Sequence, residues 1–398
     1  MDLDVDTSEV FTMFMPLPYR ILALFIAGIW GWGFAVHYLH SIRIDVGSMI
    51  RYPQLSTDTK PLHRRVYDFA FFQTVVFGFS LSAFWMFTKG DEQAVIDWEV
   101  LPLSAFFIIL GVFFLPLHTF HRRGRTRILR MLRRILVGGI DRDARFADLL
   151  LSDALTSYAK VLGDLWVNGC MFFTKHVSTT SKPDRECGGT FFVPLVIAFP
   201  SYIRFQQCII EYFRCPAGAK AERKGHLLNA LKYSTAFPVI ITSAVQRGFD
   251  PNVPHMLSEA SLSRLWLLFV FINSFYSFYW DVTRDWDLTL FHPDQSPDYP
   301  LREIRHFAPS LIYYCAIIID FFLRATWSLK LNAHLDHLNT LESGIFTLQL
   351  LEVFRRWMWT FLRVEKEFVS RGVMAGGMDF FEMEEGELGE GSVKLEDF

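Results

Sequence analysis

The feature that most constrains this chain is a series of apolar stretches, each about as long as a bilayer crossing. A transmembrane helix needs roughly 20 apolar residues, because the hydrocarbon core is about 30 Å thick. Nine stretches approach that length, and charged residues interrupt the fourth. They run near 19–39, 67–87, 100–120, 149–173, 191–212, 227–245, 262–280, 307–329 and 344–362. The sequence therefore predicts an all-α fold, a polytopic transmembrane bundle of about nine helices.

Composition supports this class and excludes others. Of the 398 residues, 51% are hydrophobic and 20% are charged, against roughly 25% charged in soluble domains. A single soluble core could not bury so many apolar segments of helical length. The net charge of −3 gives no indication of nucleic-acid binding. The five cysteines include no CxxC pair, so we expect neither a disulfide framework nor a zinc site.

Basic residues mark the loops that should face the cytosol, where Lys and Arg accumulate in membrane proteins. They are concentrated in segments 40–66, 121–147 and 213–226, whereas the intervening loop 88–99 is acidic. This alternation predicts a lumenal N-terminus and a cytosolic C-terminus. Residues 1–10 are acidic, so we expect no cleaved signal peptide before the first span.

The same pattern divides the chain into three parts. Residues 1–140 hold the first transmembrane helices and the most basic loops, and residues 141–372 hold the remaining spans. Residues 373–398 carry eight acidic residues and one Lys, which predicts a disordered cytosolic tail. The Arg-rich segment 121–136 has helical spacing of its apolar residues. It is either an amphipathic helix on the anionic leaflet or an ordinary orientation signal.

Ionisable residues inside the later spans are the strongest functional signal. Each costs roughly 2.5–3.5 kcal/mol at the bilayer centre, so such residues usually face an interior cavity. Five cations are expected at membrane depth: Arg204, Lys232, Arg324, Arg355 and Arg356. Five carboxylates can balance them: Asp153, Asp281, Asp285, Asp320 and Glu352. Converging cations suit an oxyanion such as phosphate. The alternative is that each charge is paired only to support helix packing.

Catalytic and cofactor motifs are missing from the sequence, which has no GxSxG, HExxH, Walker or Rossmann glycine motif. We therefore expect no enzyme, no cofactor and no metal site. Asp281 and Asp285 are one helical turn apart, but the neighbouring Arg284 disfavours a metal there. Trp327 follows Arg324 by three residues and is a candidate wall of a pathway. A membrane enzyme for phosphorylated sugars is a weaker alternative.

Five strings in the second half carry a resemblance to a known family. They are FPSYIRFQQC (199–208), NALKYSTAF (229–237), WDVTRDWDL (280–288), YYCAIIIDFFLRATW (313–327) and LEVFRRWMWTFLRVE (351–365). On these strings, residues 141–372 resemble the EXS domain of the retrovirus-receptor-type and plant phosphate exporters. Nothing like the exporters' SPX domain precedes the first span. In this the chain is similar to the short fungal ER-retention-defective proteins.

The resemblance implies a function and a location. It implies a multi-pass Golgi membrane protein, cycling through the ER, that returns lumenal inorganic phosphate from glycosylation to the cytosol. It also implies a link to retention of glycosyltransferases and of ER lumenal proteins. The rival hypothesis is a non-transporting scaffold that holds glycosyltransferases or their sorting adaptor through the cytosolic loops and tail. The oligomeric state is open, with a homodimer as one option.

The resemblance also implies roles for particular residues. The phosphate-binding set is Lys232, Tyr233, Arg324, Arg355 and Arg356. The counter-charges and gate are Asp153, Asp285, Glu352 and Trp327, to which the charge argument adds Arg204. Some neighbours depart from the exporter pattern: Leu231 replaces a Gly, Asp287 replaces a Gly, and Ile319 replaces a Glu. These departures bear on rate, gating and anion preference more than on the anion site itself.

Overall fold

The computed structural model describes residues 10–53, 60–115, 122–174, 177–249, 257–326, 328 and 341–391. Within these ranges the regular secondary structure is helical and contains no β-strand, which confirms the predicted all-α class. One predicted site residue, Trp327, lies outside the described residues.

The main helices are numbered here in chain order. Those before residue 140 are α1 Leu17–Ser41, α2 Val46–Met49, α3 Leu62–Thr88, α4 Glu92–Asp97, α5 Val100–Phe114 and α6 Arg122–Leu136. Those after it are α7 Arg145–Ser157, α8 Ala159–Thr174, α9 Phe192–Arg214, α10 Lys220–Ser234, α11 Ala236–Arg247, α12 Glu259–Trp280, α13 Leu311–Arg324 and α14 Glu342–Gly391. A π-helical turn, Asp281–Asp285, continues α12.

Five helical segments in the described part of the chain are long and apolar enough to cross a membrane. They are Leu17–Ser41, Leu62–Thr88, Glu92–Phe114, Phe192–Arg214 and Glu259–Asp285. These segments match the first, second, third, fifth and seventh predicted spans. The other four predicted spans contain broken, short or highly charged helices, so the count of nine stays a prediction.

The fourth and sixth predicted spans are each divided into two helices. The first break lies at Tyr158, whose hydroxyl donates to the carbonyl of Leu24 on α1 at 2.9 Å. A side chain at Gly28 would meet that hydroxyl at 2.0 Å, so glycine is required for the close approach. The second break lies at Thr235, three residues before Pro238, which has no N–H to continue the helix. Broken helices at membrane depth are typical of protein-enclosed cavities.

The described helices pack around two large apolar cores. The first surrounds α1, which contacts α3, α5, α8 and α14, and it buries Tyr19, Leu22 and Phe84. The second lies between α12, α13 and α14 and buries Trp286 and Trp359. Because α14 contacts both α1 and α13, it is the element that joins the two cores. Three of the charged residues described below, Glu352, Arg355 and Arg356, are on α14.

The segment 121–136 forms a helix, α6, in the described range Arg122–Leu136. Met131 and Ile135 are buried against the bundle, whereas Ile128 and Leu136 on the same helix are exposed. The guanidinium of the buried Arg125 donates to the carbonyl of Leu115 at 2.7 Å. One part of the apolar face is therefore packed on protein and another part is open.

The last helix continues to Gly391, so the backbone over 373–391 is helical instead of disordered as the sequence predicts. The five Glu and three Met in this stretch are good helix formers, although five Gly oppose the helix. Residues 392–398 lie outside the described residues. The cytosolic location of the tail stays a prediction.

The structure corrects one expectation about the cysteines. Cys170 near the end of α8 and Cys187 in the following loop form a disulfide. The two residues are 17 positions apart and share no motif, so only the return of the loop onto α8 brings them together. Disulfides form and persist in oxidising compartments such as the ER lumen. The bond therefore bears on which side of the membrane this loop faces.

Replacing Cys170 with Ser should lower the free energy of unfolding by about 3 kcal/mol, because the bond closes a short loop in the unfolded chain. Thermal unfolding of the purified protein in detergent measures the change. Cys315→Ser is the matched control, since Cys315 is a free and exposed cysteine. Equal alkylation of Cys170 before and after reduction would contradict the disulfide.

Candidate anion site

Three cations from three helices converge on the carboxylate of Asp281. Lys232 Nζ, from α10, donates to Asp281 Oδ1 at 3.0 Å. The guanidinium of Arg324 donates to Asp281 Oδ2, and Arg355 Nη1 lies 3.5 Å from the same oxygen. Lys232 Nζ also lies 3.4 Å from Asp285 Oδ2, one turn further along. The π-helical turn thus presents two carboxylates at the meeting point of α10, α13 and α14, as π-helical segments often do at functional sites.

Two further carboxylates complete the coordination of the arginines. Asp320 accepts from Arg324 Nε at 3.0 Å and from Arg355 Nη1 at 3.2 Å. Glu352 accepts from Arg355 Nε at 3.0 Å and from Arg355 Nη2 at 2.5 Å, a two-pronged contact. Arg355 is 4% exposed, whereas the side chain of Glu352 is 37% exposed. Arg355 is therefore surrounded by carboxylates, and the side chain of Glu352 is partly accessible.

A second group of residues lies beside Lys232. Asp153 accepts from Arg204 Nε at 2.8 Å and from the hydroxyl of Tyr233 at 2.6 Å. Arg204 also donates to the side-chain oxygen of Gln207 at 2.8 Å. Lys232 Nζ lies 5.3 Å from the ring centroid of Tyr233, so this aromatic ring separates the two groups. Asp153 and Arg204, which the sequence places at membrane depth without pairing them, form an ion pair, and both side chains are buried.

Arg356 differs from the other predicted cations. Its Nε donates to Ser157 Oγ at 2.9 Å and its Nη2 to Thr156 Oγ1 at 3.2 Å. Its Cζ lies 4.5 Å from the ring centroid of Trp359, a cation–π distance. It forms no salt bridge with any residue that the structure describes. Ser157 Oγ in turn donates to Glu352 Oε1 at 2.8 Å, which links Arg356 to the Arg355 group.

The structure thus brings together nearly all of the predicted set. Its members are Lys232, Tyr233, Arg324, Arg355, Arg356, Asp153, Asp285, Glu352 and Arg204, with Asp281 and Asp320 between them. Five cations face five carboxylates, so the cluster is formally neutral before any ligand binds. An anion entering it must compete with the carboxylates. Weak binding of this kind is what release at the far side of a pathway requires.

Sequence reasoning missed the uncharged members of the site. Thr156 and Ser157 hold Arg356, and Gln207 holds Arg204 while also donating to Ser152 at 3.0 Å. A signal existed, because Thr156 and Ser157 follow Asp153 by about one helical turn. Hydroxyl side chains are common in helices, however, and their spacing alone does not indicate a site.

Sequence reasoning also missed a second buried ionic network, here called the Glu342 network. Glu342 at the start of α14 accepts from Arg20 of α1 at 2.5 Å and from Arg185 at 3.0 Å. Arg185 also pairs with Asp164 of α8 at 2.7 Å, and Gln349 donates to the same carboxylate at 2.7 Å. The network therefore joins α1, α8, α14 and the loop that holds the disulfide.

Comparison with known proteins agrees with this architecture. The sequence profile described as the EXS family matches residues 15–369, which include the helices before residue 141. Protein ERD1 homolog 1 of Schizosaccharomyces pombe is 31% identical over 371 residues, covering 91% of this chain and 93% of that protein. Protein ERD1 of Kluyveromyces lactis is 28% identical over 394 residues, covering 92% and 98%.

A longer relative matches over less of its own length. Solute carrier family 53 member 1 of Homo sapiens is 29% identical over 327 residues, which cover 77% of this chain and 44% of that protein. These matches confirm the resemblance that the five strings indicate. Because the family match covers most of the chain, this protein belongs to the EXS family.

Proposed function

We propose that this protein moves inorganic phosphate across the Golgi membrane, from the lumen to the cytosol. The observation that carries the proposal is Arg356, a guanidinium inside the helix bundle that forms no direct ion pair with a carboxylate in the described part of the chain. It lies next to Arg355, and the described residues that hold it supply two hydroxyl groups and an aromatic ring. Such a group is prepared to receive a small oxyanion. Membership of the EXS family supports phosphate as that oxyanion.

Each charged residue has a proposed role in the pathway. The groups that bind phosphate are Lys232, Tyr233, Arg324, Arg355 and Arg356. The carboxylates that hold the cations in the empty site are Asp153, Asp281, Asp285, Asp320 and Glu352. Guanidinium groups match the oxygen spacing of phosphate with two parallel hydrogen bonds, whereas the Lys232 ammonium acts as a point charge. Trp327 keeps its proposed role as a wall of the path.

The proposed topology has nine spans, a lumenal N-terminus and a cytosolic C-terminus. The alternation of basic and acidic loops supports it. The disulfide between Cys170 and Cys187 adds support, because this topology places the loop after α8 in the oxidising lumen. The breaks at Tyr158 and Thr235 fit helices that line an interior path instead of crossing lipid alone.

The proposed driving force is the phosphate gradient itself or a coupled ion. Glycosylation in the Golgi releases phosphate as nucleotide-sugar donors are consumed, so the lumen is the source. The sequence contains no nucleotide-binding glycine motif that would couple transport to ATP. Retention of glycosyltransferases would then follow from phosphate recycling or from separate contacts of the cytosolic surface.

Radiolabelled phosphate uptake by the purified protein in liposomes tests the proposal. We expect saturable uptake above that of protein-free liposomes, with competition by unlabelled phosphate. Sulfate and arsenate as competitors measure the selectivity of the site. Equal uptake with and without the protein would contradict transport.

A scaffold is the second candidate function, favoured by the exposed Ile128 and Leu136 on the Arg-rich α6. Under this hypothesis phosphate flux is absent, and the cytosolic surface itself holds glycosyltransferases or their adaptor. Replacing Arg130 and Arg133 with Gln would then displace glycosyltransferases from the Golgi. Under the transport hypothesis the same double variant retains its flux, so the two readouts separate the two functions.

A further inference from the structure

Lys160 is a cation that the site described above does not use. It lies in α8, two residues after the break at Tyr158, within the predicted fourth span. Its side chain is exposed and forms no hydrogen bond or ion pair with the residues that the structure describes. An ammonium group without a partner is costly at membrane depth unless water or an anion meets it.

A hydrogen bond of Asp164 fixes the face of α8 on which Lys160 lies, and Ser157 at the end of α7 makes a second contact nearby. Ser157, three residues earlier, donates to Glu352 of α14 at 2.8 Å. Asp164, four residues later, accepts from Gln349 of α14 at 2.7 Å. Ser157 ends α7 before the break, whereas Asp164, four positions after Lys160 on α8, shares one face of that helix with it. Lys160 therefore lies on the face toward α14, between two direct contacts to that helix.

Exposure on this face indicates a hollow between the helices. Glu352, which lies within electrostatic range of Lys160, also has an accessible side chain, 37% exposed. A lysine turned away from α14 would lie on the opposite face of α8 from Asp164. Lys160 and Glu352 are thus two accessible charges on neighbouring helices, close to the break at Tyr158.

Two further cations lie near Lys160. Arg185 and Arg247 both lie within electrostatic range of Lys160. Arg185, in the loop that holds the disulfide, is 30% exposed although it pairs with the Glu342 network. Arg247 at the end of α11 is exposed and donates to the carbonyl of Ser243 at 3.3 Å. Positive side chains thus extend from the disulfide loop to the accessible space beside Glu352.

We propose that Lys160 forms a second anion subsite, which receives phosphate from the side of the disulfide loop and passes it to Arg356. The inference rests on the proposed transport of phosphate and adds a residue to its path. The carboxylates near Lys160 are committed elsewhere, Glu352 to Arg355 and Asp164 to Arg185. The ammonium is a flexible point charge with three donors, so it attracts a tetrahedral oxyanion without the two-pronged grip of an arginine. Because a point charge holds the anion less tightly than that grip, we expect fast release from Lys160 toward Arg356.

The first test compares transport by Lys160→Gln and Lys160→Arg in liposomes. We expect the KM for phosphate to rise about tenfold in Lys160→Gln, the loss expected when a charge-assisted hydrogen bond is removed, with a smaller change in maximal rate. Lys160→Arg keeps the charge and should stay near the wild-type KM. Lys224→Gln is the matched control, because Lys224 is exposed on α10 away from the cluster.

The second test measures water access to position 160. Lys160→Cys is made in a background without the free cysteines Cys208, Cys215 and Cys315, and is treated with a membrane-impermeant methanethiosulfonate. We expect modification, and inorganic phosphate should slow it. No modification, or modification that phosphate does not slow, overturns the subsite.

The outcomes keep the two proposals apart. Wild-type flux with an unchanged KM in Lys160→Gln overturns the subsite and leaves phosphate transport intact. An absence of wild-type flux overturns transport, and the subsite falls with it. Saturable wild-type flux, a raised KM in Lys160→Gln and phosphate protection of position 160 support both.

Discussion

Replacing Arg356 with Gln should reduce phosphate flux by about 10- to 100-fold, the range expected for losing charged hydrogen bonds to the ligand. The protein should remain folded, because Arg356 forms no direct ion pair with a carboxylate in the described structure, and each nearby carboxylate keeps another cation as its partner. Ser157 and Thr156 would lose a donor, but both hydroxyls can bond elsewhere. Flux in liposomes and the unfolding temperature in detergent measure the two effects separately.

Two further variants sharpen this prediction. Arg356→Lys keeps the charge and loses the planar fork, so we expect an intermediate flux. Arg371→Gln is the matched control on the same helix, since Arg371 pairs with Glu367 and is 45% exposed. Normal flux in Arg356→Gln would remove this residue from the pathway, whatever the behaviour of its neighbours.

Arg355 is adjacent to Arg356 in sequence but has a different physical role. It contacts Asp281, Asp320 and Glu352, so removing it would leave three buried or partly buried carboxylates short of a partner. A loss of flux in Arg355→Ala would therefore mix a binding effect with a folding effect. The single Arg356 variant is the cleaner probe of anion binding, and a double variant of both arginines is not.

The convergence of the charges could be predicted from sequence because lipid leaves a charged side chain few options. Arg324 and Glu352 belong to different predicted spans, yet each must find a partner or water within the bundle. The i, i+4 spacing of Asp320 and Arg324 already placed one ion pair on a single helix face. The contact of Asp281 with three cations was harder to predict, because the π-helical turn changes which residues share a helix face.

The broken helices could not be predicted in the same way. The fourth predicted span has no proline or glycine beside Tyr158, and the break coincides with the approach of that ring to Gly28 of α1. The Glu342 network depends on Arg20, which lies 322 residues away in the sequence. The disulfide depends on a loop that folds back onto α8. Each of these features comes from contacts between distant segments, which a periodic pattern does not encode.

Replacing Asp281 with Ala should destabilise the protein more than any other single change in the cluster. Asp281 is fully buried and is shared by Lys232, Arg324 and Arg355. Its removal leaves these buried cations short of counter-charge, and breaking a buried ionic contact on one side costs about 3–5 kcal/mol. We expect a clear drop in unfolding temperature and a reduced yield of monodisperse protein.

Variants that change the charge balance of the cluster test whether unpaired cations cause the loss of stability. Asp281→Asn removes the charge and keeps the shape, so it should be nearly as damaging as Asp281→Ala. Adding Lys232→Met to Asp281→Asn removes one unpaired cation and should recover part of the loss. Asp298→Ala breaks an ion pair with Arg305 whose carboxylate is 47% exposed, and should cost at most about 1 kcal/mol. Suppose that Asp281→Ala lowered the free energy of unfolding no more than Asp298→Ala does. Water would then have to solvate the three cations, and the resting site would be a hydrated cavity instead of a closed ionic cluster.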